Sequence, residues 1–179
     1  EAHRDDPRLR CIAPGMVDAM ASPYPIELAQ EGDDIIVVRM EEWDGVRRIR
    51  MSTQGVADTA PATLMGYSTG RWEGNTLVVE VTNYNDKGAI ATNIATRGAR
   101  GLPRSEALQV VERFTFADAN TINYEVTIED PDVYTAPWTV AIPLNKDRTY
   151  DLYEYACHEG NYGLENSLSA GRAEDRAGK

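Results

Sequence analysis

Between Ile35 and about Glu159 apolar and polar residues alternate at the period of a half-buried strand, and the alternation is broken at intervals by Gly, Asn and Asp. The run IIVVRMEEW is followed by Asp44-Gly45 and then VRRIRMS, and Asp-Gly between two strand-like runs is a strong hairpin signal. A two-residue turn there sets Trp43 opposite Val46, Glu42 opposite Arg47, Glu41 opposite Arg48, Met40 opposite Ile49 and Val38 opposite Met51. The same register places Arg39 opposite Arg50, a like-charge pair that must be solvated or joined by an anion.

A second hairpin follows, LMGYSTGRW and TLVVEVTNY about Gly74-Asn75. It puts Trp72, Leu77, Gly70, Val79, Ser68, Val81, Gly66 and Asn83 on one face. In the third, ALQVVERFTFA and TINYEVTIE around Asp118-Ala119-Asn120, a three-residue loop aligns Phe116 with Ile122, Phe114 with Tyr124 and Val110 with Ile128, while Arg113 meets Glu125. That register leaves Glu112 on the apolar face. The fourth is PWTVAIPL, a polar turn at 145–148, and TYDLYEYACHE, with Pro143 marking an edge or a bulge.

Four consecutive hairpins make an all-β domain over residues 33–160, whose edges are best hidden by closure into an eight-stranded antiparallel up-and-down barrel of the lipocalin or calycin kind. A sandwich of two sheets is the other way to hide them. Residues 1–32 carry Pro7, Pro14, Pro23 and Pro25 and read as an extended arm. Residues 85–104 show no sustained period, and such irregular segments inside a domain are often functional. Over residues 161–179, Leu164 and Leu168 stand at helical spacing and predict one short outer helix.

The chain has 179 residues, a size that suits one domain. Its 29 Asp and Glu against 18 Lys and Arg give a charge of −11 and no basic stretch, which argues against nucleic acid as a partner. No apolar run is long enough for a helix to span a bilayer. Placed on strands, Glu41, Glu42, Glu125 and Glu80 have arginine neighbours, so the excess charge reads as solubility rather than as a binding signal.

Cys11 and Cys157 are the only two cysteines. Bonded, they would hold the arm to the last strand and stabilise the fold by on the order of 4–5 kcal/mol in the chain-entropy account. Two separate buried thiols are the alternative, since sequence does not bring them within bonding distance. The chain begins at Glu1 rather than Met, and a removed signal peptide together with a disulfide would place the protein in the periplasm or outside the cell.

No hydrolase elbow, phosphate loop, zinc-protease helix or Cys-x-x-Cys motif is present. With His3 and His158 the only histidines, no metal site and no cofactor are expected. Three groups carry chemical interest. Glu112 among Val110, Phe114, Tyr124 and Val126 must be paired, protonated or used as an acid or base, unless it lies at a barrel mouth and hydrates. His158 lies in EYACHEGNY beside two carboxylates, a thiol and two tyrosines, where it is either a general base or a satisfied histidine at a strand end. Arg39, Arg48, Arg50 and Arg71, with Trp43, would suit an anionic small molecule, or simply form a solvated face with Glu41 and Glu80.

The segments DPRLRC, SPYPIEL, MGYSTGRWEGNTLVVEVTNYNDK, SEALQVVERFTFADANTINYEVTIEDPDVYTAPWT and EYACHEGNYGLENSLSAGRAE resemble a family of exported bacterial proteins of unassigned function. That resemblance spans most of the chain and implies export, with no catalytic residue. Gly70-Arg71-Trp72 is similar to the Gly-x-Trp of lipocalins, although it falls in the third predicted strand rather than the first. The likeness implies an interior able to hold a small apolar ligand.

The leading expectation is therefore a barrel binding a small molecule through Ser68, Trp72, Asn83, Glu112, Phe114 and Tyr124. The second is a cofactor-independent lyase, isomerase or hydrolase with Glu112 or His158 as base, which requires both to open onto one cavity. The third is an assembly protein pairing through the arm or an edge strand. The pattern leaves the oligomeric state open.

Overall fold

A computed structural model describes residues 11–13, 15–51, 60–91, 102–160 and 162–178. The short helix α1 (Met16–Met20) leads into eight strands: β1 (Ile26–Glu31), β2 (Ile35–Met40), β3 (Gly45–Arg50), β4 (Tyr67–Glu73), β5 (Thr76–Thr82), β6 (Gln109–Phe116), β7 (Thr121–Glu129) and β8 (Trp138–Asn145). Helix α2 (Gly163–Arg176) follows. The strands form one sheet in sequence order, with β1 and β8 as its edges. It curls into a half-barrel rather than closing. Neighbours are antiparallel except β3 and β4, which run parallel and share only the pairs Ile49 with Ser68 and Arg50 with Thr69. The purely antiparallel closed barrel is thus corrected on both counts. The long connection from β3 to β4 lets β4 enter in the same direction as β3, which a tight hairpin cannot do.

The eight strands are also not quite the expected eight. The segment read as an extended arm contributes α1 and β1, because IELAQE lies beside β2 with Leu28 opposite Val38. At the other end TYDLYEYACHE makes no strand and runs as an irregular strap from Lys146 to His158. Its backbone and rings are instead engaged by the turn between β2 and β3. Tyr150 donates its hydroxyl to the Glu41 carboxylate, at 2.8 Å to Oε2, the Tyr153 amide donates to the same oxygen at 3.1 Å, and the Tyr155 amide donates to Asp44 Oδ1 at 3.0 Å.

Those contacts explain a shifted register. Glu41 to Asp44 form a four-residue turn with a 3-10 segment, so Met40 faces Gly45 and Arg39 faces Val46, not Ile49 and Arg50. Trp43 and Asp44 are held at φ 64° and 48°, and the strap holds both, Trp43 by its ring and Asp44 by its carboxylate. The other two central hairpins have the expected pairings. Glu73 faces Thr76, Phe116 faces Ile122 and Arg113 faces Glu125.

The concave face holds the core. Val38, Met40, Ile49, Leu77, Val79, Val81, Val110, Phe114, Tyr124 and Ile128 are buried there with α1 against them. Ordinary strand alternation supplies these positions, and β8, at the edge, is only partly buried. Helix α2 is exposed at all its described side chains, and among the described residues no helix is long and apolar enough to cross a membrane. Residues 92–101, half of the irregular segment 85–104, lie outside the described residues.

Candidate functional site

The most chemically loaded place in the core is a charged pair. Arg47 comes from β3 and Glu112 from β6, three strands apart, or roughly 14 Å along a flat sheet. They meet because the sheet curls. Arg47 donates from both terminal nitrogens to the Glu112 carboxylate, at 2.9 Å from Nη1 to Oε1, and from Nε to Ser68 Oγ at 2.8 Å. The Tyr124 hydroxyl donates to Glu112 Oε1 at 2.9 Å. Glu112 is wholly buried, Arg47 nearly so, and the Phe114 ring stacks at 4.8 Å on Tyr124. Burial alone would lower the Arg47 pKa, but the adjoining Glu112 carboxylate outweighs it and the guanidinium is held more firmly protonated than usual. Burial pushes Tyr124 well above the phenol range, and the Glu112 charge adds to that.

Tyr84 closes the same cluster. Burial raises its pKa too, Arg47 pulls it down and Glu112 pushes it up, yet its hydroxyl has no hydrogen-bond partner among the described residues. The Arg104 guanidinium lies 4.6 Å over its ring and donates to the Leu64 carbonyl at 3.2 Å, while Arg104 Nε has no acceptor among the described residues. This assembly is packed solid with side chains. With Ser68, Tyr84, Phe114 and Tyr124 buried around the charged pair, it can brace a curved sheet.

Space lies at the end of the half-barrel instead. A partly open cleft of about 170 Å³ is bounded by α1 and the residues before it, by the turn between β2 and β3, and by the residues preceding β4. Its walls include Met40, Glu42, Trp43, Val46, Leu64 and Met65. Trp43 packs on Tyr155 with ring centroids 4.9 Å apart, Tyr155 meets Tyr24 at 5.6 Å, and Trp43 Nε1 is buried with no acceptor among the described residues. Cys157, two residues beyond Tyr155, is bonded to Cys11, and Ala13 and Gly15 shortly after Cys11 line the cleft. The disulfide therefore ties together the two chain segments that flank it.

The residues singled out in the sequence are scattered. Ser68, Glu112, Phe114 and Tyr124 meet in the buried cluster. Trp72 is 52% exposed on the rim beside Phe116, and Asn83, at φ 56° after β5, donates to the Ala60 carbonyl at 3.0 Å. His158 is exposed, with Nδ1 3.7 Å from Cys11 Sγ, and shares no cavity with Glu112. Arg39 pairs with Glu27, Arg48 with Glu31, and Arg71 with Glu73 and Glu80, all half-exposed, while Arg50 lies over the Tyr67 ring. Among the described residues no three His, Cys, Asp or Glu gather as a metal site needs.

Set against protein-family models, curated proteins and solved structures, the chain matches none.

Sequence reasoning overlooked Arg47 and Tyr84 as site residues and set Trp43 among the arginines of a face suited to an anion. The signal for Arg47 was present, since the alternation already put it on the face of Met40 and Ile49, but a partner at Glu42 concealed how unusual that is. Trp43 was grouped with those arginines, whereas its place in the cleft wall beside Tyr155 depends on the strap.

Proposed function

We propose that the protein is an exported small-molecule-binding protein and that its site is the cleft at the mouth of the half-barrel, not the filled interior around Glu112. The observation that carries this reading is a cleft of about 170 Å³ whose walls are mainly apolar, with Met40, Trp43, Val46, Leu64 and Met65 among them. Pockets for small molecules are commonly apolar with few polar groups. The likeness to lipocalins supports the same class of function, with the ligand at the mouth rather than in the centre. Export is supported by the Cys11–Cys157 bond, because such bonds persist in oxidising compartments. A reaction has no support from Glu112, whose carboxylate is held by Arg47 and Tyr124 out of reach of solvent.

The test is a fragment screen on protein labelled with ¹³C at the methionine methyls. Binders are expected to shift Met40 and Met65 and to lose their effect when Met65→Trp fills the cleft. A chemically broad library that moves neither methyl sinks the reading.

A further inference from the structure

We propose that the Cys11–Cys157 bond is a thiol–disulfide exchange site: a small external thiol attacks Cys157 Sγ, Cys11 leaves as the thiolate, and His158 makes Cys11 the better leaving group. This does not depend on what the cleft binds.

Place in the fold comes first. Neither cysteine belongs to a helix or a strand, so the bond can open with the sheet intact. Both are only partly buried, and Ile12, Ala156 and His158 beside them are exposed. Exposed disulfides are the class that thiols open, whereas structural ones resist reduction. Cys11 is also held at φ 52°, a left-handed conformation uncommon outside glycine, and opening the bond frees it from that conformation.

His158 decides which sulfur leaves. With its proton on Nδ1 the ring donates toward Cys11 Sγ at 3.7 Å. A disulfide sulfur accepts weakly and a thiolate strongly, so this contact tightens as negative charge arrives on Cys11. A neighbour that favours a thiolate also speeds its departure. Among the described residues Cys157 Sγ has no such donor.

The incoming thiolate forms a bond to Cys157 Sγ as the Cys157–Cys11 bond breaks, and the electron pair of that bond leaves on Cys11, which pairs with the His158 N–H or takes its proton. A second external thiolate then attacks the sulfur of the first, freeing Cys157 as a thiolate. Both protein sulfurs are reduced and two external thiols are oxidised to their disulfide. The described residues include no free cysteine, so the thiols come from outside the chain.

Opening the bond has a mechanical result. Tyr155, two residues before Cys157, packs on Trp43 and Tyr24, and Ala13 lies two residues after Cys11 in the cleft wall. Exchange therefore uncouples the strap from the segment leading into α1.

Glutathione is added at pH 7 to the full oxidised chain, the reaction is stopped with iodoacetamide, and peptide mass spectrometry locates the adduct. The ratio of glutathione on Cys157 to glutathione on Cys11 is expected to be about tenfold higher in the folded protein than in the chain unfolded in urea. In His158→Ala that ratio falls to the unfolded value and the folded chain reacts about tenfold more slowly, which loss of a structural contact alone would not do to the site of attack. A folded ratio equal to the unfolded one, an excess on Cys11, or an excess that survives His158→Ala overturns the inference. So does the absence of any adduct on the folded chain at a glutathione concentration that opens the bond in urea. The position of the adduct in the unsubstituted protein decides the matter even if the variant does not fold.

Discussion

Tyr84 and Tyr124 sit in one buried cluster, yet among the described residues Tyr124 has a partner for its hydroxyl and Tyr84 has none. Their removal should therefore act in opposite directions. Tyr124→Phe deletes a hydrogen bond to a carboxylate and is expected to destabilise by about 1.5–3 kcal/mol. Tyr84→Phe deletes a buried hydroxyl with nothing to bond and is expected to stabilise by about 1 kcal/mol. The two phenols also set the alkaline limit. Both have folded-state pKa values raised by burial, so their contribution is intact below the unfolded value of about 10 and is lost as pH climbs toward the folded values. Urea unfolding between pH 8 and 11 checks this. Stability should fall above about pH 10, and less steeply in Tyr84→Phe. A variant that is less stable than the parent at pH 8 would show that the Tyr84 hydroxyl has a partner after all.

At the scale of elements, the Arg47–Glu112 pair joins β3 to β6 across the concave face, and it holds the curl of the sheet rather than any one hairpin. Glu112→Leu alone leaves a buried guanidinium without its counter-charge and should cost about 3–5 kcal/mol, whereas Arg47→Met combined with Glu112→Leu should recover most of that loss. A double-mutant cycle in urea measures it. Additive losses would mean that the two groups contribute separately and that the pair does not act as a unit. How far these elements were legible follows from what stabilises each. The hairpins at Gly74-Asn75 and Asp118–Asn120 are set by local turn chemistry and by pairs across the strands, so alternation was enough to find them, and with them Glu112 on its apolar face. The turn at Glu41 to Asp44 is set by the strap, more than a hundred residues away in sequence, and no local pattern carries that information. For the same reason IELAQE, short and next to proline, was not recognisable as a strand, since pairing with β2 is what makes it one.

On the scale of the whole molecule, a half-barrel in sequence order leaves β1 and β8 unpaired with each other, and the strap from Lys146 to His158 is what spans back from the β8 side to the start of the sheet. Cys11–Cys157 fixes its far end with a sequence separation of 146, so nearly the whole described chain lies inside the loop it closes. Loop-closure entropy grows with such a span, and loss of the bond is expected to cost about 2–5 kcal/mol. The position of the bond adds a local consequence. Tyr155 is held between the staple and Trp43, and Ala13 and Gly15 are held between the staple and α1, so both flanks of the cleft depend on it. In Cys11→Ser combined with Cys157→Ser, the far-ultraviolet signature of the sheet should persist, because no strand contains either cysteine. The Trp43 indole resonance should move and broaden as Tyr155 leaves it, and small molecules that bind the cleft should bind more weakly. An unchanged Trp43 resonance in that variant would show that Glu41 and Asp44 hold the strap without the disulfide, and the bond would then act on stability alone.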